Sequence, residues 1–424
     1  MIKFIILKKL KIQVSDCCFN KVFLIHTMGT SGFWSFFKDL VKTVKINEIN
    51  GKPAFVDMIQ YLHKYIIGMR KCGRDITLPD GKNVTHLYAL TRIVKVFTDN
   101  NILPVFVIDG KSPLIKSDSV KKRKNIIKNA KEKCKELQQT DRQDTDEFIK
   151  NFKRCFDVTH QMLEECRGYL NSAGIPYVDA MEEADPQCAG LAHHYSSGVF
   201  SEDSDIILSG SPCLMKDLNT HQNSVSVIYM ADIMNFMQQK CDDICNKHSI
   251  ETCVFTKKNL IDFSFVMGND YCNGIRCSKK NKKTEPNDDR EILFELFTMC
   301  KFNMETFVET IRSMNRDKIL FYISSEFLET WKNHNNVYTD VNIISPETID
   351  IKMKNPQYDV MSSYLLKFGF KNELICHIAF SLGKLHSFLR DKHMKVSNPE
   401  ILICDKKEEW VVVGKGKKHD RFVC

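Results

Sequence analysis

The chain has 424 residues, of which 43% are hydrophobic and 27% charged, as in a globular protein of one large or several ordinary domains. Its formal net charge of +8 is only mildly basic, so nucleic-acid binding must depend on where the charge lies. The 17 cysteines are odd in number and scattered, which favours reduced thiols in the nucleus or cytoplasm over a secreted disulfide framework. No run approaches the ~20 apolar residues of a membrane span, so we expect no membrane insertion.

The N-terminal segment, residues 1–27, has lysines on both sides of a short apolar stretch and lacks a small-residue cleavage site. This pattern is not that of a signal peptide, so we do not expect secretion. Met28 and Gly29 then open an amphipathic segment, GFWSFFKDLV. We therefore expect residues 1–27 to be a non-native or dispensable extension ahead of a true start at Met28.

Two short apolar runs, PAFVDM at 53–58 and LPVFVIDG at 103–110, predict buried parallel strands that each end in an acid. Helical periodicity covers 58–71 and 84–100 between them, and DGKN at 80–83 predicts a turn. In a parallel sheet, binding and active sites lie at the carboxyl ends of the strands, where these acids are found.

The same alternation continues downstream. A helix over 158–172 leads into a predicted strand at 175–180, and residues 197–211 predict two strands, or a strand and a turn, around acids. Residues 224–230 predict another strand. Strands alternating with helices indicate an α/β fold with a parallel sheet.

Residues 111–165 interrupt this alternation with a lysine-rich helix, a polar stretch and a second helix, which predicts a helical insertion on the surface. Residues 279–290 predict a polar loop, and the chain beyond about 390 is expected to be irregular. The expected regions are a first α/β region at 28–135, which includes the start of the insertion, an internal α/β region at 158–276, a helical region at 277–390 and a basic tail at 391–424.

Seven carboxylates lie at predicted strand ends or in short acidic clusters. Each alone has an ordinary explanation as a helix cap, a turn residue or a surface charge. If they converge, their charges raise one another's pKa, and divalent cations relieve the repulsion. Mg²⁺ suits carboxylate oxygens, Mn²⁺ could replace it, and two such ions can hydrolyse a phosphodiester. The pattern predicts a nuclease with two Mg²⁺ ions, held among Asp57, Asp109, Glu183, Asp185, Asp203, Asp205 and Asp270.

Several sequence blocks, in this order and spacing, resemble the flap endonuclease/XPG family of structure-specific 5′ nucleases. The resemblance covers roughly 28–276 and continues weakly to about 390, where SPETIDIKMKNPQYD resembles the family's C-terminal return across the nuclease core. It implies a PIN-like α/β core with a helical gateway insertion at about 111–165 and a C-terminal helical region that binds duplex DNA. The blocks are MGTSGFWSFF (28–37), FVDM (55–58), VFVIDGKSP (105–113), VTHQMLEECRGYLNSAGIPYVDAMEEADPQCAGL (158–191), SEDSDIILSGSPCLMKDL (201–218) and FVMGNDYCNGIR (265–276).

The resemblance also implies roles for individual residues. The first metal would be held by Asp57, Asp109, Glu183 and Asp185, and the second by Asp203, Asp205 and Asp270, with Asp185 near both and part of the catalytic machinery. Lys116 and Arg123 match the family's basic gateway groups and would face the scissile phosphate from one side of a helix. Pro186 departs from the family; because proline suits a first helical turn, Asp185 could act as an N-cap.

DNA contacts are implied at three places. Gly29 would lie near the active site, and His63 stands where the family has a base-stacking tyrosine, with Tyr61 as the alternative. After Asp270 the family's glycine-containing hairpin is replaced by CSKKNKKTEPNDD, whose lysines could supply charge instead. The residues predicted to contact DNA are Gly29, His63, Arg70, Lys121, Lys122, Lys279 and Lys280.

We therefore expect Mg²⁺-dependent cutting of DNA at 5′ flaps, nicks or 5′ ends at junctions, by a monomer. A 5′→3′ exonuclease or a bubble- or junction-cutting relative remains open within this class. A catalytically inactive nucleic-acid-binding module on the same fold is the alternative of another class, and the presence of all seven acids argues against it. The altered segment after Asp270 and the lack of a recognisable sliding-clamp peptide favour a divergent member of the family, such as a viral one.

Cys241, Cys245, His248 and Cys253 form the pattern C-x3-C-x2-H-x4-C. This spacing is not one of the standard zinc-binding patterns, and cysteines occur throughout the chain. We therefore expect ordinary thiols here.

Overall fold

A seven-stranded sheet forms the centre of the structure, a computed structural model that describes residues 29–110, 117–277, 286–315, 321–391, 401–404 and 410–413. The strand order in the sheet is β1-β7-β6-β5-β2-β3-β4. The strands are β1 Lys42–Lys45, β2 Pro53–Asp57, β3 Leu103–Ile108, β4 Tyr177–Asp179, β5 Gly198–Phe200, β6 Cys213–Asn219 and β7 Ser224–Tyr229.

Five neighbouring strands of this sheet are parallel. β2 pairs with β3 on one side and β5 on the other, β3 continues to β4, and β5 continues to β6. β7 and then β1 extend the sheet in antiparallel fashion beyond β6. The strands predicted at 53–58, 103–110, 175–180 and 224–230 are confirmed, and so is the largely parallel sheet. β1 and β6 were not predicted, since neither is a continuous apolar run.

Helices cover both faces of the sheet. They are α1 Phe33–Phe36, α2 Met58–Met69, α3 Thr85–Asp99, α4 Ser117–Gln139, α5 Asp146–Arg154, α6 His160–Ala173, α7 Ala184–His194, α8 Asp205–Leu208, α9 Met230–His248, α10 Lys257–Met267, α11 Pro286–Met299, α12 Met304–Met314, α13 Phe327–His334, α14 Tyr358–Lys367 and α15 Asn372–Asp391. Two further strand pairs lie outside the sheet, β8 Arg276–Cys277 with β9 Phe321–Tyr322, and β10 Ile401–Cys404 with β11 Trp410–Val413.

The two faces of the sheet bury two separate hydrophobic cores. Successive side chains of a strand point to opposite faces, so Phe55 enters one core and Val56 the other. The Phe55 side packs against α1, α7 and α9 to α12, and the Val56 side against α2, α3, α6, α14 and α15. The burial of β2 and β3 on both faces explains why their sequences are continuous apolar runs.

The structure corrects three sequence expectations. Residues 197–211 contain β5 followed by the short helix α8, where Ile206, Ile207 and Leu208 are all buried, so a second strand there is wrong. The polar loop predicted at 279–290 is wrong from Pro286 onward, because α11 begins there with proline and acids in its first turn. The chain beyond 390 is not wholly irregular, since β10 and β11 form a hairpin.

The gateway insertion is helical, as predicted. α4 and α5 pack against each other through Cys134, Leu137 and Phe148 and form a small core of their own. The C-terminal return is present as well: the Lys354 amide donates to the Gly174 carbonyl (2.9 Å), at the end of α6. In the described part of the chain, no helix combines the length and apolarity needed to cross a bilayer.

Candidate active site

Acids from three adjacent strands meet at one edge of the sheet. Asp57 is the last residue of β2, Asp109 directly follows β3, and Asp203 follows β5 by three residues. β2 lies between β3 and β5, and all three are parallel, so their carboxyl ends share this edge. The expectation that separate acidic segments converge at strand ends is confirmed by this topology.

Asp57 is a buried carboxylate, with 7% of its surface exposed. It caps α2, because its Oδ1 accepts the Gln60 amide at 3.1 Å. Burial, with a further contribution from the charge of Asp109, raises the pKa of Asp57 from 3.8 to about 7; the amide hydrogen bonds and Arg123 oppose this shift. Without a cation this acid is therefore largely protonated below about pH 7.

The α7 N-terminus brings the next acids to the same place. Asp109 Oδ1 accepts the Ala184 amide (2.7 Å), so a carboxylate faces the positive end of the helix dipole. Glu183 occupies the N-cap position and Asp185 the first turn, followed there by Pro186. The suggestion that Asp185 caps this helix is therefore wrong.

Cys188, on the inner side of α7, gives independent evidence that the acids lie close to one another. Its thiol is fully buried, and burial raises its pKa. The charges of Asp57, Asp185 and Asp109 raise it further. Three acids from three separate segments thus lie around a single buried sulfur.

The second acidic group follows β5. Asp203 and Asp205 are 4% and 3% exposed, and the Asp203 Oδ1 accepts the Asp205 amide (2.9 Å). Asp205 is held from two other parts of the chain: its Oδ1 accepts the Thr30 hydroxyl (3.4 Å) and its Oδ2 accepts the Tyr338 hydroxyl (2.8 Å). These donors stabilise the ionised form of Asp205.

Gln60 connects the two acidic groups. Its backbone amide donates to Asp57, while its side-chain Oε1 accepts from the Ser201 hydroxyl (2.5 Å) and from the Glu202 amide (2.6 Å). Sequence reasoning missed this residue. The spacing Asp57-x-x-Gln60 is a helix-capping signal, but the contact that matters here is with a distant segment.

The segment that begins at Gly29 passes directly against the second acidic group. Gly29 has a φ of 82°, and a side chain there would collide with Asp203 and Ser204. The Thr30 amide donates to the Ser204 hydroxyl (2.9 Å) and the Ser31 amide to the Gly268 carbonyl (2.6 Å). The predicted position of Gly29 beside the active site agrees with this arrangement, while its contact with DNA stays a prediction.

Asp270 lies near the Asp205 side of the site. The pKa of the buried Tyr338 is raised first by burial, then by Asp205 and, more weakly, by Tyr271 and Asp270.

A pocket of about 90 Å³ is lined by Asp185, Asp205 and Tyr338 among others. This volume exceeds by several-fold the ~15 Å³ that one water needs, so a hydrated ion has room. Sequence reasoning did not identify Tyr338, since it lies 133 residues beyond Asp205 with no motif around it.

The gateway contributes positive charge to the site. Arg123 is exposed on α4, and its charge acts on both Asp57 and His63. Lys121 is exposed on the same helix, and Lys122 belongs to it. Lys116, Lys279 and Lys280 lie outside the described residues, so their predicted roles stay untested.

His63 and Tyr61 face inward to different degrees. The His63 ring meets Phe156 edge to face (5.1 Å between centroids), and burial lowers the pKa of His63 to about 4. Its ring is therefore neutral at physiological pH, and base stacking by it stays a prediction. Tyr61 is only 4% exposed and packs against Phe200, so the alternative that Tyr61 stacks on a base is wrong.

Arg70 does not lie on a surface that DNA could reach. It is 5% exposed, its guanidinium forms a two-point pair with Asp75 (2.6 Å for each hydrogen bond), and it donates to the Phe152 carbonyl (2.9 Å). The rings of Phe152 and Phe156 lie 4.5 and 4.8 Å from it. The prediction that Arg70 contacts DNA is therefore wrong: it joins α5 of the gateway to the end of α2.

The donor set suits magnesium. The groups that converge are carboxylates, which are hard oxygen ligands, and several are buried where like charges cannot all ionise alone. Binding of one ion by Asp57, Asp109, Glu183 and Asp185, and of a second by Asp203, Asp205 and Asp270, was predicted from the family resemblance. These assignments remain predictions about individual ligands.

Comparison with known proteins agrees with this architecture. The sequence profile of the XPG N-terminal domain matches residues 28–130, and that of the XPG I-region matches residues 174–270. Flap endonuclease 1 of Homo sapiens is 23% identical over 346 residues, which is 80% of this chain and 82% of that protein. Flap endonuclease 1 of Candida albicans is 26% identical over 366 residues, 84% of this chain and 90% of that protein.

Solved structures show the same fold. The catalytic core of Rad2 in complex with a DNA substrate superposes with a TM-score of 0.57 at 20% identity, covering 84% of this chain and all of that one. The flap endonuclease-1 of Methanococcus jannaschii gives 0.54 at 17%, covering 84% and 99%. Human GEN1 with Holliday junction DNA gives 0.55 at 14%, covering 88% and 83%. Both XPG regions match in the family's order, the acids lie on one sheet edge, and the gateway is helical. The chain therefore belongs to the flap endonuclease/XPG family of 5′ nucleases.

Proposed function

We propose that this protein is a Mg²⁺-dependent, structure-specific DNA endonuclease that cuts 5′ flaps or 5′ ends at junctions during DNA replication, repair or recombination. The observation that carries the proposal is the convergence of acids from three neighbouring parallel strands and from α7 at one sheet edge. The curated relatives named above are flap endonucleases, and the solved Rad2 and GEN1 structures contain DNA. A related GEN1 structure also contains Mg²⁺.

The acids and their supporting residues define what the chain itself does. Asp57 and Asp109 each accept a backbone amide at the start of a helix, α2 and α7 respectively, which fixes both carboxylates at the same sheet edge. Asp205 is oriented by hydrogen bonds from the hydroxyls of Thr30 and Tyr338. Two Mg²⁺ ions bound there would lower the pKa of an attacking water and stabilise the charge on the leaving oxygen.

The gateway supplies the remaining element of the reaction. Arg123 stands on α4 within electrostatic reach of Asp57, and its planar guanidinium suits a phosphate that gains charge as it reacts. Hydrolysis on this arrangement would leave a 5′-phosphate on the product. The 5′→3′ exonuclease and the bubble- or junction-cutting activity use the same acids and differ only in how DNA is held.

The test compares Asp203→Asn with the parent protein on a labelled 5′-flap substrate in Mg²⁺. Asparagine keeps the Oδ1 acceptor for the Asp205 amide, so the local fold is retained while the charge is lost. We expect the cleavage rate to fall by about 100-fold or more. Binding to the same DNA in Ca²⁺ should stay within a few-fold of the parent.

The matched control is Asp359→Asn, an exposed acid in the first turn of α14 far along the chain from the site. It should cleave like the parent. Equal cleavage by Asp203→Asn and the parent would contradict the two-metal assignment. Absence of cleavage by the parent, with DNA still bound, would favour an inactive binding module.

The preferred DNA structure needs a separate assay. Flap, nicked, gapped, bubble and four-way substrates of matched sequence would be cut in Mg²⁺ under single-turnover conditions. A flap endonuclease should cut the flap fastest, at the junction. Stepwise release of nucleotides from a nicked or gapped 5′ end would instead indicate the exonuclease.

A further inference from the structure

Three cysteines come together at the end of α9, away from the acids. Cys241 and Cys245 are four residues apart on one face of this helix, and both are fully buried. Cys253 lies in the segment between α9 and α10 and is partly buried. Its sulfur is 3.2 Å from that of Cys241 and 3.7 Å from that of Cys245. All three sulfurs lie within 4.8 Å of one another.

The segment that carries Cys253 is fixed from both sides. Gln238, one turn before Cys241, donates from Nε2 to the Cys253 carbonyl (3.0 Å) and accepts the Phe255 amide at Oε1 (2.7 Å). Phe255 is 5% exposed and packs against Phe302 (5.4 Å between ring centroids). The three sulfurs are therefore held together by the surrounding fold.

This arrangement fits a tetrahedral metal ion. A Zn–S distance of about 2.3 Å at tetrahedral angles separates two sulfurs by about 3.8 Å. The Cys245–Cys253 separation is close to that value and the Cys241–Cys253 separation is about 0.6 Å shorter, so binding requires shifts of less than about 1 Å. Binding would release the thiol protons to solvent, as it does in structural zinc sites.

A lysine near the three sulfurs would balance part of their charge. Lys301 pairs with Glu251 (2.9 Å), and its ammonium is close enough to Cys253 and Cys245 for their charge to act on it. It would offset part of the charge of three thiolates. His248 is directed elsewhere, with its Nε2 2.6 Å from Glu295 Oε1, so the four-residue pattern in the sequence is not the site.

We propose that Cys241, Cys245 and Cys253 form a three-thiolate site for Zn²⁺, with water in the fourth position on the partly exposed Cys253 side. This proposal departs from the expectation of ordinary thiols because the chain after α9 folds back and brings Cys253 to Cys241 and Cys245. The ion would fasten the end of α9 to the segment that leads into α10. α10 ends two residues before Asn269 and three before Asp270, so the site stabilises the element that presents that acid.

The test uses the full-length protein, reduced and freed of metal, with excess Mg²⁺ present to occupy the carboxylates. Titration with Co²⁺ should give a near-ultraviolet thiolate-to-cobalt charge-transfer band and the visible bands of tetrahedral Co²⁺, saturating at one equivalent. Zn²⁺ should then displace Co²⁺ and abolish these bands. Carboxylate-bound Co²⁺ gives no thiolate band, so the signal reports the cysteines alone.

Cys253→Ser is the informative variant, because its position is partly exposed and serine is of similar size. It should lose the thiolate band at one equivalent and the rise in Tm that Zn²⁺ gives the parent. Cys300→Ser is the matched control, since the Cys300 sulfur lies outside the group, 3.7 Å from the Thr310 hydroxyl. It should behave like the parent.

Two results would overturn the proposal. The first is the absence of a thiolate band at one equivalent of Co²⁺, or the same band in Cys253→Ser. The second is protein purified from cells with no zinc and with a disulfide between Cys241 and Cys253. DNA cleavage is not a readout in these measurements, so neither result affects the proposed nuclease activity.

Discussion

Tyr338 illustrates how a single residue outside any motif can orient an acid of the candidate active site. Its side chain is 4% exposed, and burial together with the Asp205 charge raises the pKa of Tyr338 well above its ordinary value. The phenol therefore stays protonated and acts only as a donor towards the Asp205 carboxylate, at 2.8 Å. Loss of this donor would leave Asp205 less firmly oriented and easier to protonate.

We predict that Tyr338→Phe slows flap cleavage and raises the Mg²⁺ concentration needed for half-maximal rate by about tenfold or more, as for other groups that orient metal ligands. The ring is retained, so packing changes little. Single-turnover cleavage measured across a Mg²⁺ titration checks this. At saturating Mg²⁺ most of the rate should return, because the carboxylate itself is still present.

The control for this variant is Tyr322→Phe, which removes the same hydroxyl from an exposed tyrosine of β9. Its Mg²⁺ dependence should match that of the parent. An unchanged Mg²⁺ dependence of Tyr338→Phe would show that the hydroxyl does not orient Asp205.

At the scale of elements, the two gateway helices differ: α5 is anchored to the rest of the fold, and α4 carries a charged face. Arg70, which is held in place by its pair with Asp75, anchors α5 through the carbonyl and the ring of Phe152. The face of α4 is different: Lys124, Lys128, Lys131 and Lys135 recur at helical spacing and, with Glu132 and Asp157, line a groove of about 410 Å³. Charge arranged in this way suits the backbone of a single strand.

We predict that Lys124→Ala and Arg70→Lys weaken the protein in different ways. Lys124→Ala should lower the slope of log affinity against log salt by about 0.9, because one phosphate contact is lost, and leave Tm unchanged. Arg70→Lys should leave that slope unchanged but reduce the stability of folding by about 2 kcal/mol, because a lysine cannot make the two-point pair or fit between the rings.

Fluorescence anisotropy with a flap DNA in Ca²⁺, from low to moderate salt, measures the slopes, and thermal unfolding measures stability. Both variants are compared at a temperature where each is fully folded. A reduced salt slope in Arg70→Lys would restore the original prediction that Arg70 contacts DNA. An unchanged slope in Lys124→Ala would remove this part of the groove from the DNA path.

For the molecule as a whole, we expect the acids to couple Mg²⁺ binding to folding stability. In the metal-free protein the pKa of Asp57 is raised from 3.8 to about 7. Protonation of Asp57 therefore stabilises the folded state. This contribution to the free energy of unfolding is present in full below about pH 4 and is lost as the pH rises through about 7. Mg²⁺ needs the ionised form, so its stabilisation of the fold should grow over the upper part of that range.

We predict that saturating Mg²⁺ raises Tm more at pH 8 than at pH 6, as measured by thermal unfolding with and without the ion. Asp57→Asn is the control, because asparagine retains the helix cap but neither titrates nor carries charge. Its Mg²⁺-induced rise should be smaller and nearly independent of pH between 6 and 8. An equal rise at both pH values in the parent would contradict the role of Asp57.

Much of the fold followed from local patterns. β2 and β3 were evident because strands buried on both faces are continuous apolar runs, and the acids at their ends followed directly. The short helix α8 was less evident, since a four-residue helix has too few turns to show helical periodicity. Arg70 was misassigned because an arginine beside lysine looks exposed in the sequence, whereas its burial depends on Asp75, Phe152 and Phe156.

The sequence by itself determined the parallel α/β core, the family and the set of acids, because these depend on short periodic runs and on blocks read in order. Only the tertiary structure decided which residues support those acids. Gln60, Thr30 and Tyr338 act across 133 to 175 positions of the chain. The grouping of Cys253 with Cys241 and Cys245 likewise depends on the loop after α9. Such contacts carry no local signal, since a hydrogen bond depends on distance in space and not on separation along the chain.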